Sequence, residues 1–434
     1  MKKRAYLIGI GGIGVSALAR KYLSEGWEVA GSDRAGSKIT AELEKLGAKI
    51  NLEQKAENIS GDFDLVIYTI AISPEHPELS RARELNLPVL SYPEALGELS
   101  KTHFTIAVSG THGKTTTTAM LAEVALAAGL DPTVIVGSLL ASSGANFIAG
   151  QSDLLIVEAC EYRRSFLNLS PKILIITNIE ADHLDYYRDL EDIQDAFAEL
   201  ASKLPSDGAL ICDKTDANLQ PVLKMAEKTG CKIIDYKKIK TDFKLKIPGA
   251  HNIKNAQAAL GVAAELHLLY HTALEALENF AGTWRRFEFK GETKTGAKVY
   301  DDYAHHPSEI RATLAGAREL VEKSEEEKGG KIFVIFQPHL YSRTKQLFLE
   351  FSESFADADE VILADIYAAR EAPDPEISSE KLAKVSKNKS GESAKYFKNF
   401  TEIVAYLKQA TQAGDLIITM GAGDIGQVAE LLLK

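Results

Sequence analysis

Uninterrupted apolar runs, not alternating ones, set the pattern of this chain. Such runs mark strands buried on both faces, as in a parallel sheet covered by helices. Ala5 to Ile10, Trp27 to Ala30, Leu65 to Thr69 and Val89 to Leu90 are the first set, separated by helical patterns such as Ile13 to Ser24. They predict a parallel α/β unit. After the polar stretch Gly97 to His103, a second set begins with Phe104 to Val108 and continues through Leu154 to Val157 and Ile173 to Thr177. Its helical patterns are Thr116 to Ala128, Asp189 to Leu204 and Ile253 to Leu268. Beyond Ala281-Gly282-Thr283, the strands Lys331 to Phe336, Glu360 to Ala364 and Asp415 to Met420 alternate with helices again. The expected fold class is therefore α/β with three domains, at residues 1–98, 99–282 and 283–434.

Length agrees with that division, since 434 residues hold about three domains of ordinary size. The 45% hydrophobic and 26% charged fractions exclude a disordered or collagen-like chain. Fifty basic residues against 61 acidic ones give a net charge of −11, which argues against nucleic acid or an anionic membrane as partner. The lysine-rich stretch Lys224 to Lys246 lacks interleaved arginine and reads as a solvated face, and Lys323 to Gly330 reads as a surface loop. No apolar run reaches the roughly 18 residues of a membrane span. The basic start Met1 to Arg4 and the apolar stretch to Ala19 imitate a signal peptide, but four glycines interrupt it. Three scattered cysteines, Cys160, Cys212 and Cys231, form no disulfide framework, so a reducing cytoplasm is expected.

Three glycine-rich turns follow predicted strands. Gly9-x-Gly11-x-x-Gly14 opens a helix, and Asp33 lies downstream at the spacing of a dinucleotide fingerprint. Amides of Gly11, Gly12, Ile13 and Gly14 would face a diphosphate, the Asp33 carboxylate would bind a ribose hydroxyl, and Ser32 belongs to the same candidate UDP-sugar site. NAD and a nucleotide sugar both satisfy this pattern. Gly421 to Gly426 matches the same spacing and reads as a structural turn. The sharpest signal is Gly110-Thr111-His112-Gly113-Lys114-Thr115-Thr116 between a strand and a helix, a shortened phosphate loop. There, backbone amides cradle phosphate oxygens, Lys114 neutralises β/γ charge and Thr115 is placed to ligate Mg²⁺. Glu158 and His183 each follow a predicted strand, where a parallel sheet opens its ligand crevice, and are candidate metal ligands. Asp301-Asp302-Tyr303-Ala304-His305-His306-Pro307 and Gln337-Pro338-His339-Leu340-Tyr341-Ser342-Arg343 place further polar groups at helix starts and strand ends. Arginine at such a position suits a carboxylate.

Taken in order, these motifs resemble the Mur ligase family over nearly the whole chain. The matching segments are Gly110 to Met120, Glu158, Thr177 to His183, Gly249 to Ala256, Arg285 to Glu288, Asp301 to Pro307 and Gln337 to Thr344. The resemblance implies a Rossmann-like N-terminal domain for a UDP sugar, a central ATPase and a Rossmann-like C-terminal domain closing over ATP and an amino acid. It implies an ATP- and Mg²⁺-dependent ligase, acting as a monomer or weak homodimer, that joins L-alanine to the lactyl carboxylate of UDP-N-acetylmuramate through an acyl phosphate. Lys114 then holds phosphates, and Thr115, Glu158 and His183 hold metal. Asn252 and Asn255 match adenine-binding asparagines, Arg286 a nucleotide-phosphate arginine and Asp302 a ribose acid. His305 lies near the reacting centre, and His339 and Arg343 surround the amino-acid carboxylate. A ligase adding a preformed peptide to the same sugar, and an NAD-dependent dehydrogenase, are the alternatives. Relatives of the later steps often carry a lysine downstream of the metal histidine; none lies between His183 and Lys203, which favours alanine addition. Cys160 replaces an aspartate common in the family, and Leu340 stands where relatives can have a second arginine.

Overall fold

Each apolar run becomes a strand of one of three sheets in the computed structural model, which describes residues 2–140, 143–240, 242–323, 329–369 and 371–434. Within the charged stretch 323–330, residues 324–328 lie outside the described residues. The first sheet takes β1 (Arg4–Ile8), β2 (Glu28–Ser32), β3 (Lys49–Asn51), β4 (Leu65–Tyr68) and β5 (Val89–Ser91). Their order is β3-β2-β1-β4-β5, all parallel as the apolar runs predict. The helices between them are α1 (Ile13–Ser24), α2 (Lys38–Lys45) and α3 (Pro77–Glu84), and α4 (Tyr92–Lys101) leads out. Ser91 caps α4 in a reciprocal capping box with Glu94, fixing where the first sheet ends and the next helix starts.

The second sheet contains β6 (Phe104–Ser109), β7 (Thr133–Ile135), β8 (Phe147–Ile148), β9 (Leu154–Glu158), β10 (Ile173–Ile176), β11 (Ala209–Cys212) and β12 (Lys232–Asp235). Their order is β12-β11-β10-β6-β9-β7-β8, parallel except for the β7–β8 pair. The sequence pattern did not anticipate that short antiparallel edge. The helices of this region are α5 (Lys114–Ala127), α6 (Leu190–Ala201), α7 (Gln220–Thr229), α8 (Ala250–Glu265) and α9 (Tyr270–Asn279). The lysines from Lys224 to Lys246 are exposed, as a solvated face requires.

The third sheet is built from β13 (Glu288–Glu292), β14 (Lys298–Asp302), β15 (Ile332–Phe336), β16 (Glu360–Leu363), β17 (Lys395–Tyr396) and β18 (Leu416–Met420). Its order is β13-β14-β18-β15-β16-β17, with only β13 antiparallel. Around it run α10 (Pro307–Lys323), α11 (Tyr341–Gln346), α12 (Phe348–Ser352), α13 (Ser379–Val385), α14 (Phe400–Ala410) and α15 (Gly426–Leu432).

Three sheets nevertheless make two compact units, Met1–Phe243 with Asn255–Asn279, and Lys244–Lys254 with Phe280–Lys434. The first two sheets merge because they share one apolar core: Ala95, Leu96 and Leu99 of α4 belong to the same buried cluster as Phe166, Leu169 and Phe197. Asn146 adds a polar tie, donating from its amide to Ile13 O and to Ser16 Oγ on α1. Among the described residues no helix is long and apolar enough to cross a membrane.

Candidate functional site

The strand β6 is buried along most of its length and delivers the chain into the turn Gly110–Gly113, from which α5 departs. Gly113 caps that helix at φ +82°, a conformation that other residues adopt only with strain. A Cβ there would also stand 2.5 Å from Asn255 Oδ1. At Gly110, φ is +129° and a Cβ would fall 2.0 Å from Thr177 Oγ1. Both glycines of the loop are therefore needed for backbone and for space.

The segment Thr177-Asn178-Ile179-Glu180 clamps this loop from the neighbouring strand end. Thr177 Oγ1 donates to His112 O at 2.5 Å, and Asn178 receives the His112 amide at 3.0 Å while donating back to His112 O at 3.1 Å. Thr111 Oγ1 accepts the Glu180 amide at 2.8 Å. Behind the clamp, Tyr236 is buried and donates to Thr177 O at 2.8 Å. These four residues, which precede His183, shape the phosphate loop. The signal was their position directly after a strand beside the loop.

Lys114 folds back over the turn, its Nζ 2.6 Å from Gly110 O and 2.9 Å from Thr111 O. Its third partner is Glu161, 2.9 Å away, a residue the sequence reading left out. Burial opposes the lysine's charge, but Glu161, Cys160 and Glu158 together hold the ammonium above its ordinary value. Burial likewise pushes Glu161 up, and Lys114 and His183 pull it below the usual carboxylate range. Thr115 Oγ1 donates to Glu158 Oε1 at 3.0 Å, and Glu158 Oε2 accepts the Gly137 amide at 2.7 Å. His183 stands with its Nε2 3.5 Å from Glu161 and its ring 4.9 Å from that of Tyr162. Lys114, Thr115, Glu158 and His183 thus converge at the C-terminal ends of β6, β9 and β10. A hydroxyl, carboxylates and one imidazole are a donor set suited to a hard divalent cation. The residues present fit Mg²⁺. Thr116 is buried one position further along α5, and Cys160 is exposed between the two acids.

At the N-terminal glycine turn, Asp33 Oδ2 accepts the Gly11 amide at 2.8 Å and Oδ1 accepts the Arg34 amide at 2.7 Å. Gly12 donates to Gly9 O at 3.0 Å, and Ile13 and Gly14 begin α1. Asp33 therefore organises the turn as well as facing it. Ser32 is fully buried, and its hydroxyl donates at 2.5 Å to Glu78. Tyr6 and Asn58 donate to the same buried carboxylate, each at 2.7 Å. A serine at the end of a buried strand carried no sequence sign of that partner.

Asn255, in the first unit, lies on α8, and Asn252 on the same helix donates to Pro248 O at 2.7 Å. The second unit holds the remaining candidates around β14 and α10. Arg286 places its guanidinium 5.2 Å from the Tyr303 ring and 3.9 Å from Glu309. His305 Nδ1 is 3.0 Å from Tyr303 O and 3.3 Å from Glu309, and its ring centre is 6.2 Å from that of His339. Arg343 is 3.4 Å from His339 Nδ1, and His339 stacks on Tyr367 at 5.8 Å. Arg286, His305, His339 and Arg343 thus form one neighbourhood. The Asp302 carboxylate accepts the amides of Phe287 and Ala304, both at 2.7 Å. Burial pushes its pKa up to about 6.

Arg285, unremarked beside Arg286, is a structural centre. It is buried, donates to Asp301 at 2.7 Å, and caps Gly421 O and Gly423 O at 2.7 and 2.9 Å. Gln337 closes the same turn through Asp424 at 2.9 Å and the Ile425 amide at 3.2 Å. The C-terminal glycine pattern is thereby a packed turn.

Comparison with known proteins places three family models on the chain in succession. Residues 4–104 match the Mur ligase family catalytic domain, residues 108–242 the Mur ligase middle domain, and residues 285–423 the Mur ligase glutamate ligase domain. A UDP-N-acetylmuramate–L-alanine ligase of Clostridium kluyveri is 44% identical over 460 residues, covering 100% of this chain and 98% of the relative. The crystal structure of UDP-N-acetylmuramate-alanine ligase from Thermotoga maritima aligns with a TM-score of 0.81 at 30% identity, covering 99% of this chain and 98% of that one. A murein peptide ligase from Psychrobacter arcticus shares the fold, with a TM-score of 0.70 at 23% identity and the same coverage.

Proposed function

The chain belongs to the Mur ligase family, and we propose that it joins L-alanine to the lactyl carboxylate of UDP-N-acetylmuramate, converting ATP to ADP and phosphate. It is an ATP-dependent ligase of peptidoglycan precursor synthesis. The observation that carries the residue-level reading is the convergence of Lys114, Thr115, Glu158 and His183 on one phosphate loop. No protein nucleophile is needed there. A carboxylate is a poor electrophile, and transferring the γ-phosphoryl group to it creates the leaving group that amide formation requires.

The lactyl carboxylate oxygen attacks the γ-phosphorus, the bond to the β–γ bridging oxygen breaks, and ADP leaves. The alanine amine then attacks the acyl phosphate carbonyl, loses a proton, and the tetrahedral intermediate expels phosphate. Lys114 neutralises charge on the β/γ-phosphates once it swings away from the loop carbonyls, and the loop amides hold their oxygens. Thr115, Glu158 and His183 would hold Mg²⁺, which when bound supplies charge neutralisation at the transferring phosphoryl group. Asn252 and Asn255 receive adenine, with Asp302 and Arg286 serving the rest of the nucleotide. Arg343 and His339 receive the alanine carboxylate, with His305 near the reacting carbonyl.

The glycine turn at Gly11–Gly14 and Asp33 holds the UDP group and not NAD. The domains of this reading are 1–98 for the UDP sugar, 99–282 for ATP and 283–434 for the amino acid. The three free cysteines fit a reducing cytoplasm, and we take the protein to work as a monomer or weak homodimer. Phosphate release should require UDP-N-acetylmuramate, ATP, Mg²⁺ and L-alanine together. Release that ignores the sugar nucleotide, or that prefers a preformed tripeptide over L-alanine, would defeat the proposal.

A further inference from the structure

The reaction scheme gives Glu161 no task, yet its side chain is only 3% exposed beside the phosphate loop. Hydrogen bonds fix the backbone that carries it. Tyr187 donates to Glu161 O at 2.5 Å, and the next turn contains Arg163 and Arg164 at φ +52° and +55°. Arg164 is itself tied to Asp192 at 2.7 Å and Glu199 at 3.0 Å. From this frame the acid reaches Lys114, with Nζ 2.9 Å from both carboxylate oxygens.

An ammonium has three protons to donate. Gly110 O, Thr111 O and Glu161 take all three, so the lysine is fully engaged inside the loop. Nucleotide phosphates need the same ammonium and must displace these partners. Two anions competing for one buried cation cannot both be fully paired with it.

We propose that Glu161 is a positioning residue that keeps Lys114 folded across the phosphate loop until nucleotide phosphate displaces it, and recovers the lysine as the product leaves. The inference rests on reading this loop as the nucleotide site. It gives Glu161 a distinctive sign, because removing its charge weakens the ligand-free fold and strengthens nucleotide binding together. A residue that only supports the fold lowers both.

The test is ADP binding by calorimetry in EDTA, with the thermal midpoint of the ligand-free protein measured alongside. Glu161→Gln should bind ADP about 3- to 10-fold more tightly than the unsubstituted chain, at a lower thermal midpoint. Glu161→Asp, with its charge on a shorter arm, should tighten binding by about twofold and gives a readout if the glutamine variant fails to fold. In a Lys114→Ala background the gain should vanish. Equal or weaker ADP affinity in the folded Glu161 variants would overturn the proposal, as would a gain that persists without Lys114. Failure of the unsubstituted protein to bind ADP would instead overturn the nucleotide-site reading beneath it.

Discussion

Replacing Arg285 by methionine removes one half of a buried ion pair while keeping much of the side-chain volume. The structure sets the expected size of the loss. The Arg285 and Asp301 side chains are 9% and 5% exposed, and after the substitution Asp301 keeps the 2.6 Å bond from Thr419. Breaking one partner of such a pair costs about 3–5 kcal/mol, because the remaining charge stays buried. Gly421 O and Gly423 O also lose their donor, although water can reach the turn and soften that part. At about 2–4 °C per kcal/mol for a unit of this size, the second unit should melt roughly 6–20 °C earlier. The chain has two tryptophans, and Trp284 adjoins Arg285 in that unit. In a Trp27→Phe background, Trp284 fluorescence therefore reports its unfolding. Adding Asp301→Asn should recover part of the loss, since it removes the stranded charge. A single substitution costing under about 1 kcal/mol, or a double variant with purely additive losses, would refute the assignment of Arg285 as the structural centre of this turn.

Lys114→Ala should lower ligation at least about 100-fold while UDP-N-acetylmuramate affinity changes by less than about twofold, checked by kinetics and calorimetry. Equal loss of both would contradict separate phosphate and UDP sites. Gly113→Ala should destabilise the protein by about 2 kcal/mol and raise the ATP KM, because the new Cβ meets both a positive φ and Asn255. An unaltered KM would show that the loop tolerates the side chain. Burial drives the pKa of His251 down from 6.5 to about 4, against Glu309 and with Lys254 and Arg286. The folded state thus binds fewer protons than the unfolded state between these values, so stability present above pH 6.5 is lost as pH falls toward 4. Denaturant titrations of His251→Gln across that window should show a shallower loss than the unsubstituted chain; equal slopes would exclude His251 as the source.

Periodicity made the framework legible because strands covered on both faces leave long apolar runs. The helix Ile13–Ser24 and the strands beginning at Leu65, Phe104 and Leu154 lie where those runs place them. Loop geometry was legible where it needs unusual residues, as at Gly110 and Gly113. Ordinary residues acting through distant partners were not. Glu161 reads as one more acid after Glu158 until the fold brings Lys114 and His183 against it. Ser32 bonds Glu78, 46 positions away, a partner that no local pattern announces. Arg285 and Arg286 are adjacent in sequence, yet a positive φ at Arg285 turns its guanidinium into the core of the second unit. The union of the first two sheets was hidden for the same reason, since a shared core is made by contacts between distant segments.

Transfer of the γ-phosphoryl group to the lactyl carboxylate is the account's central claim. UDP-N-acetylmuramate carrying ¹⁸O in that carboxylate, turned over with ATP, Mg²⁺ and L-alanine, tests it directly by mass spectrometry of the released phosphate. The account predicts one carboxylate ¹⁸O in each phosphate formed. Phosphate free of the label, with the amide still produced, would contradict it.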